Sequence, residues 1–184
     1  MRQKFTIILA LGFSLFVGCN QPNQVDSSKA DSNFVFGLLA GQNSEAGKDF
    51  ALNGVWNSFT GNATTVNTIT TFSAKAGRQG VQLDDNTGFS SCYLLIEFNN
   101  SEGSFITQNP QNNGACFAGD TNKGKYNKIF YFKNPDKENS FWYCTVAFGK
   151  TLDEARAQVD TSTKSSPGTA GCSGFSFSRL DRKF

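Results

Sequence analysis

The side chains able to do chemistry in this chain are few, and cysteine leads them. Cys19, Cys92, Cys116, Cys144 and Cys172 stand in a sequence with no histidine at all. Without an imidazole there is no Ser-His-Asp or Cys-His arrangement and no ordinary catalytic zinc site. With no C-x-x-C pair, the cysteines do not read as metal ligands either. Carboxylates are what remains for acid-base work. Glu97, among apolar neighbours on a strand, could serve as a general acid if burial raised its pKa, but a carboxylate on the solvent side of a strand has the same sequence signature and is the commoner case. Asp84-Asp85-Asn86-Thr87-Gly88 has the outline of a calcium loop, yet an EF-hand needs glutamate at its twelfth position, where Leu95 stands. Asp, Asn and Gly supply the backbone angles of a hairpin turn, which is the better reading. The expectation is a non-enzymatic chain without metal or cofactor.

Cys19 has a different meaning from the other four. Arg2 and Lys4 precede a mostly apolar run from Phe5 to Val17 that closes on Gly18-Cys19, the order of a signal peptide. Such a run is too short for a bilayer helix, which needs about 20 residues. Leu15-Phe16-Val17-Gly18-Cys19 fits a lipobox, in which the thiol of the first mature residue takes the diacylglyceryl group. One acyl chain anchors marginally, at about 0.8 kcal/mol per buried CH₂, whereas two or three hold firmly. The expected address is therefore the cell envelope. Asn20, standing where enteric bacteria use Asp for inner-membrane retention, favours the outer membrane.

Removing residues 1–18 takes Arg2 and Lys4 from the seventeen basic residues and leaves fifteen, against fifteen acidic ones. Nucleic-acid binders cluster Lys and Arg to neutralise phosphates; this balanced chain, with no long basic run, is not expected to bind nucleic acid. The four remaining cysteines, an even number in an oxidising compartment, read as two disulfides.

The elements that must position these groups are strands. Residues 19–49 are rich in Asn, Gln, Ser and Gly and read as a lipidated tether, broken by an apolar island at 34–39. From 50 to 184 short segments rich in Phe, Tyr, Val, Ile and Thr alternate with turn clusters. Strands are predicted at 54–59, 67–73, 78–84, 91–99, 104–108, 126–133, 140–148 and 174–180, an all-β, mainly antiparallel domain forming an eight-stranded up-and-down barrel or a sandwich. Alternation puts Cys92, Leu94, Ile96 and Phe98 on one face, and Tyr93, Leu95 and Glu97 on the other. Thr151-Leu152-Asp153-Glu154 is a capping box opening one short helix, about 152–159, with Leu152, Ala155 and Val159 on one face. A hairpin near Asn100–Gly103 brings Cys92 toward Cys116, while Cys144 in the seventh strand and Cys172 before the eighth are neighbours. The predicted pairs are Cys92–Cys116 and Cys144–Cys172.

Several blocks from Phe105 onward resemble a group of small leptospiral envelope lipoproteins: Phe105-Ile106-Thr107-Gln108-Asn109-Pro110, Gly124-Lys125-Tyr126-Asn127-Lys128-Ile129, Ser140-Phe141-Trp142-Tyr143-Cys144, Phe148-Gly149-Lys150-Thr151-Leu152 and Gly171-Cys172-Ser173-Gly174-Phe175. Phe16 in the lipobox, where the common pattern has Leu, suits the looser lipoboxes of spirochaetes. The resemblance implies a spirochaete envelope lipoprotein, supports the Cys144–Cys172 bridge and supplies no catalytic residue. Gly54-Val55-Trp56 in the first strand, with Arg179 in the last, is similar to lipocalins, where a tryptophan closes the barrel floor beneath a stacked arginine.

Three functions follow as expectations. The first is a membrane-anchored, non-enzymatic envelope lipoprotein presenting its β domain to envelope or host macromolecules, with the loop 109–123 available for contacts. The second is a lipocalin-like carrier of a small apolar ligand, its cavity lined by Trp56, Phe130, Phe132, Trp142, Phe148, Phe175, Phe177 and Arg179. The third is an inhibitor or a carboxylate enzyme.

Overall fold

A computed structural model describes residues 48–86, 88, 90–111 and 121–184. The expected signal peptide, Cys19, the island 34–39, Cys116 and most of the loop 109–123 lie outside the described residues. The elements are β1 (Gly54–Thr60), β2 (Thr68–Ser73), β3 (Gly80–Asp85), β4 (Ser90–Asn99), β5 (Ser104–Gln108), β6 (Tyr126–Lys133), β7 (Ser140–Lys150), α1 (Leu152–Ala157) and β8 (Ser178–Arg182). Every strand pairs antiparallel with the next, and β8 returns to β1 through Trp56↔Arg182 to Thr60↔Ser178. The sheet is a closed up-and-down barrel, not a sandwich, and closure leaves no free edge.

The register sorts the residues by side. Pairs such as Thr70↔Asp84, Gln82↔Tyr93, Leu95↔Thr107 and Ile129↔Thr145 face inward. Large side chains fill the half of the barrel where β1 begins: Trp56, Phe72, Leu95, Phe98, Phe105, Ile129, Tyr131 and Leu180 form one buried cluster with Phe50 and Leu52. The last two precede β1 and floor the barrel. Phe50 meets Phe72, Phe98, Phe105 and Tyr131 at ring-centroid distances of 5.6, 5.1, 5.3 and 5.8 Å.

Gly54 explains the Gly-x-Trp spacing. Its φ is +120°, and a Cβ there would meet the Arg182 guanidinium, which lies 4.8 Å over the Trp56 ring. The arginine stacked on the tryptophan is thus Arg182, directly across the β1–β8 ladder, rather than Arg179. Trp56 Nε1 donates to the Leu52 carbonyl at 2.6 Å, so floor, strand and arginine are tied together.

Two outer faces are covered as well, which is why so many strands are apolar on both sides. Opposite Ile106, β4 carries two residues, Ile96 and Glu97, in a β-bulge. Both point outward, and Phe98 moves to the inner face with Leu95, against the strict alternation expected from sequence. Ile96 and Ile106 receive Leu152 and Ala155 of α1. The capping box forms, with Thr151 Oγ1 accepting from the Glu154 amide and Glu154 Oε2 accepting from the Thr151 amide. Arg156 grips Glu97 with three hydrogen bonds of 2.9–3.2 Å. The helix ends at Ala157, so Val159 is exposed instead of sharing its buried face.

The second covered face is the outside of β7. Trp142, Cys144 and Phe177 are buried there with Phe132, Val146 and Cys172. The Cys144–Cys172 disulfide fastens the long β7–β8 connection to the wall. That connection includes a turn from Cys172 to Phe175, and β8 starts only at Ser178, later than the predicted 174. Cys92 is also disulfide-bonded, while its expected partner lies outside the described residues.

Candidate functional site in the open end of the barrel

Antiparallel alternation brings the β1–β2, β3–β4, β5–β6 and β7–β8 connections to the end opposite the aromatic floor. Toward that end the inward residues change character. Asp84, Thr107, Asn127, Thr145 and Ser178 are shorter than the rings below them and polar, so they leave space and line it with hydrogen-bonding groups. The result is a cavity of about 230 Å³ bounded by Gln82, Asp84, Tyr93, Thr107, Asn127, Ile129, Tyr143, Thr145, Phe148 and Ser178. It is smaller than the ~300–1,000 Å³ typical of pockets for drug-sized ligands.

Asp84 is the acidic group of this wall. Its Oδ1 accepts from Thr70 Oγ1 at 2.7 Å on the neighbouring strand. Its Oδ2 accepts from Gln82 Nε2 at 2.8 Å, two residues along the same face. Burial pushes the Asp84 carboxyl above the ordinary carboxylate range, and the two hydrogen bonds only partly oppose it. Tyr143 is pushed up to about 12, first by burial and then by the neighbouring Asp84 charge, against hydrogen bonds with Ser58 and Ser178. Its phenol is therefore neutral throughout the physiological range. Asn127 is held by donation to Thr107 Oγ1 and Asn109 Oδ1, at 3.3 and 2.7 Å, while its own oxygen accepts from the Gly149 amide at 3.1 Å. The wall is thus preorganised by cross-strand hydrogen bonds, a fixed array of donors and acceptors.

Of the residues expected to line a cavity, Phe148 does so, at the rim and largely exposed. Trp56 belongs to the solid floor. Phe130, Phe132 and Trp142 are on the outward register of β6 and β7, and Phe177 packs against Phe132 outside the barrel at 5.4 Å. Arg179 is also outside, 4.4 Å from the Phe59 ring and 5.8 Å from Trp142, where it donates to the Gly61 and Ala63 carbonyls. Phe175 is 76% exposed in its turn. Where phenylalanines are expected, the cavity wall is mainly polar. The sequence pattern places Asp84 in a hairpin turn; β3 and β4 do pair up to Asp85↔Ser90, with Asp85 accepting from the Ser90 hydroxyl at 2.7 Å, but Asp84 is the last inward position of β3. Its alternation with Gln82 along β3, in step with Thr70 and Phe72 across the ladder, was the available signal. Glu97 is spent on the Arg156 pair outside the barrel.

The chain matches no family model, no curated protein and no solved structure.

Proposed function

We propose that this chain is a lipid-anchored, non-enzymatic envelope protein whose barrel takes a small polar molecule into its open end. The observation that carries the binding reading is the sorting of the interior: rings fill one half, and short hydrogen-bonding side chains around a carboxyl leave a cavity in the other. A protein evolved for stability alone gains little from a buried carboxyl in an open space, because burying a charge without an opposite one is costly. The envelope address is supported by the order Arg2, Lys4, apolar run, Gly18-Cys19. A lipocalin-like carrier of an apolar ligand is the weaker reading, since of the aromatic side chains expected to line its cavity only Phe148 does so, at the rim, while the others are packed in the floor, turned outward or exposed in a turn.

Two measurements test the two halves. Metabolic labelling with a tagged fatty acid should mark the wild-type chain and leave Cys19→Ser unmarked; an unlabelled wild type would remove the anchor. Native mass spectrometry of the chain released from its own cells should detect a small polar molecule that leaves on denaturation. A long-chain lipid held in the barrel instead would overturn the polar reading.

A further inference from the structure

Taking the open-end cavity as a binding site, we propose that its ligand is a small organic cation, a protonated amine bearing further polar groups, with Asp84 as its counter-ion. Among the described residues the cavity wall carries one carboxylate and no lysine or arginine. The two groups that donate to Asp84, the Thr70 hydroxyl and the Gln82 amide, are neutral. They hold the carboxylate in place without balancing its charge. Each carboxylate oxygen accepts one of these bonds and keeps a further lone pair for a ligand N–H.

The rest of the wall suits the same class of molecule. Phenol oxygens of Tyr93 and Tyr143 and the hydroxyls of Thr107, Thr145 and Ser178 can accept from an ammonium or its hydroxyl substituents, and aromatic rings such as those of Tyr93, Tyr143 and Phe148 in the wall attract cations. An anion would meet Asp84 at close range in a partly desolvated space, where like charges repel far more than in water. A neutral polyol could make the hydrogen bonds but would leave the carboxylate uncompensated. The elevated pKa of Asp84 agrees with this arrangement, since burial disfavours its ionised form and no lysine or arginine among the described wall residues offsets that. The titratable groups facing it are the phenols Tyr143 and Tyr93.

Aminobutanol, butanediol and hydroxybutyrate are a cation, a neutral molecule and an anion of closely similar shape. In calorimetric titration of the mature, detergent-solubilised chain, aminobutanol should bind roughly ten- to a hundredfold tighter than butanediol, the range of a hydrogen bond gaining full charge. Hydroxybutyrate should bind weakest. In Asp84→Asn the preference for the amine should disappear. Butanediol or hydroxybutyrate binding the wild type as tightly as aminobutanol would overturn the cation assignment and leave the cavity reading standing; failure of all three would remove both. If Asp84→Asn does not fold, the ranking in the wild type decides alone.

Discussion

Phe50→Ala is the perturbation that most sharply tests how the barrel is closed. Phe50 lies outside every strand, at the junction between the expected tether and the domain, yet it is only 2% exposed. Its four ring neighbours are rooted on β2, β4, β5 and β6. Walls fixed by four different strands cannot collapse onto the hole, so the loss belongs in the upper part of the ~3–5 kcal/mol range for buried Phe→Ala, at about 4 kcal/mol. For a domain of this length each kcal/mol moves the melting midpoint by about 3–5 °C, which gives a fall of roughly 12–20 °C. Urea unfolding followed by tryptophan fluorescence is the assay, since Trp56 shares the Phe50 cluster. The midpoint should fall with little change in the m-value. A loss below about 1.5 kcal/mol would mean that residues 48–53 are an extension of the tether and that the barrel is closed by its strands alone.

Other consequences concern the outer wall and the carboxyls. Replacing Cys144 and Cys172 together by serine opens a loop with a sequence separation of 28 and should cost about 3.5 kcal/mol in the chain-entropy account; an unchanged urea midpoint would refute the staple. In a double-mutant cycle on Glu97 and Arg156, both partly exposed, the coupling should be about 0.5–1 kcal/mol, and a coupling near zero would mean that the apolar contacts alone seat α1. Asp84 and Asp181 should give opposite pH dependences. Burial raises Asp84, so its folded form binds a proton more readily, and wild type should gain stability relative to Asp84→Asn as pH falls through the carboxylate range. Asp181 is lowered, because hydrogen bonds from Ser140 and Lys137 and the Arg179 charge outweigh burial. Its contribution is present above the unfolded pKa and lost as pH falls through the folded one, so wild type should lose its advantage over Asp181→Asn on acidification. Slopes of the same sign in the two comparisons would contradict the assignment.

Strand existence was legible because turn residues separate β-branched and aromatic runs at every boundary; β5 and β6 fall where the pattern places them. Closure was not legible, since a sandwich has the same strand spacing. The inward face is not legible wherever an outer covering makes both faces apolar. On β7 the ring of Trp142 and the sulfur of Cys144 serve the wall beneath the disulfide-fastened connection, while Phe141 packs on the floor beside Trp56 at 5.6 Å. The bulge at Ile96 inverts the alternation halfway along β4, and no residue there announces it. The polar cavity is not legible for a related reason: Gln82, Asp84, Thr107 and Asn127 look like solvent-facing positions in any alternating strand, and only the register shows that they converge.

The most direct test of a polar binding cavity above a solid floor is a two-dimensional NMR titration of the mature chain with aminobutanol. Shift changes should be confined to Gln82, Asp84, Tyr93, Thr107, Asn127, Tyr143, Thr145, Phe148 and Ser178 and leave Phe50, Phe72 and Phe105 unmoved. Changes centred on the outer wall around Trp142 and Phe177, or on the floor itself, would contradict the account.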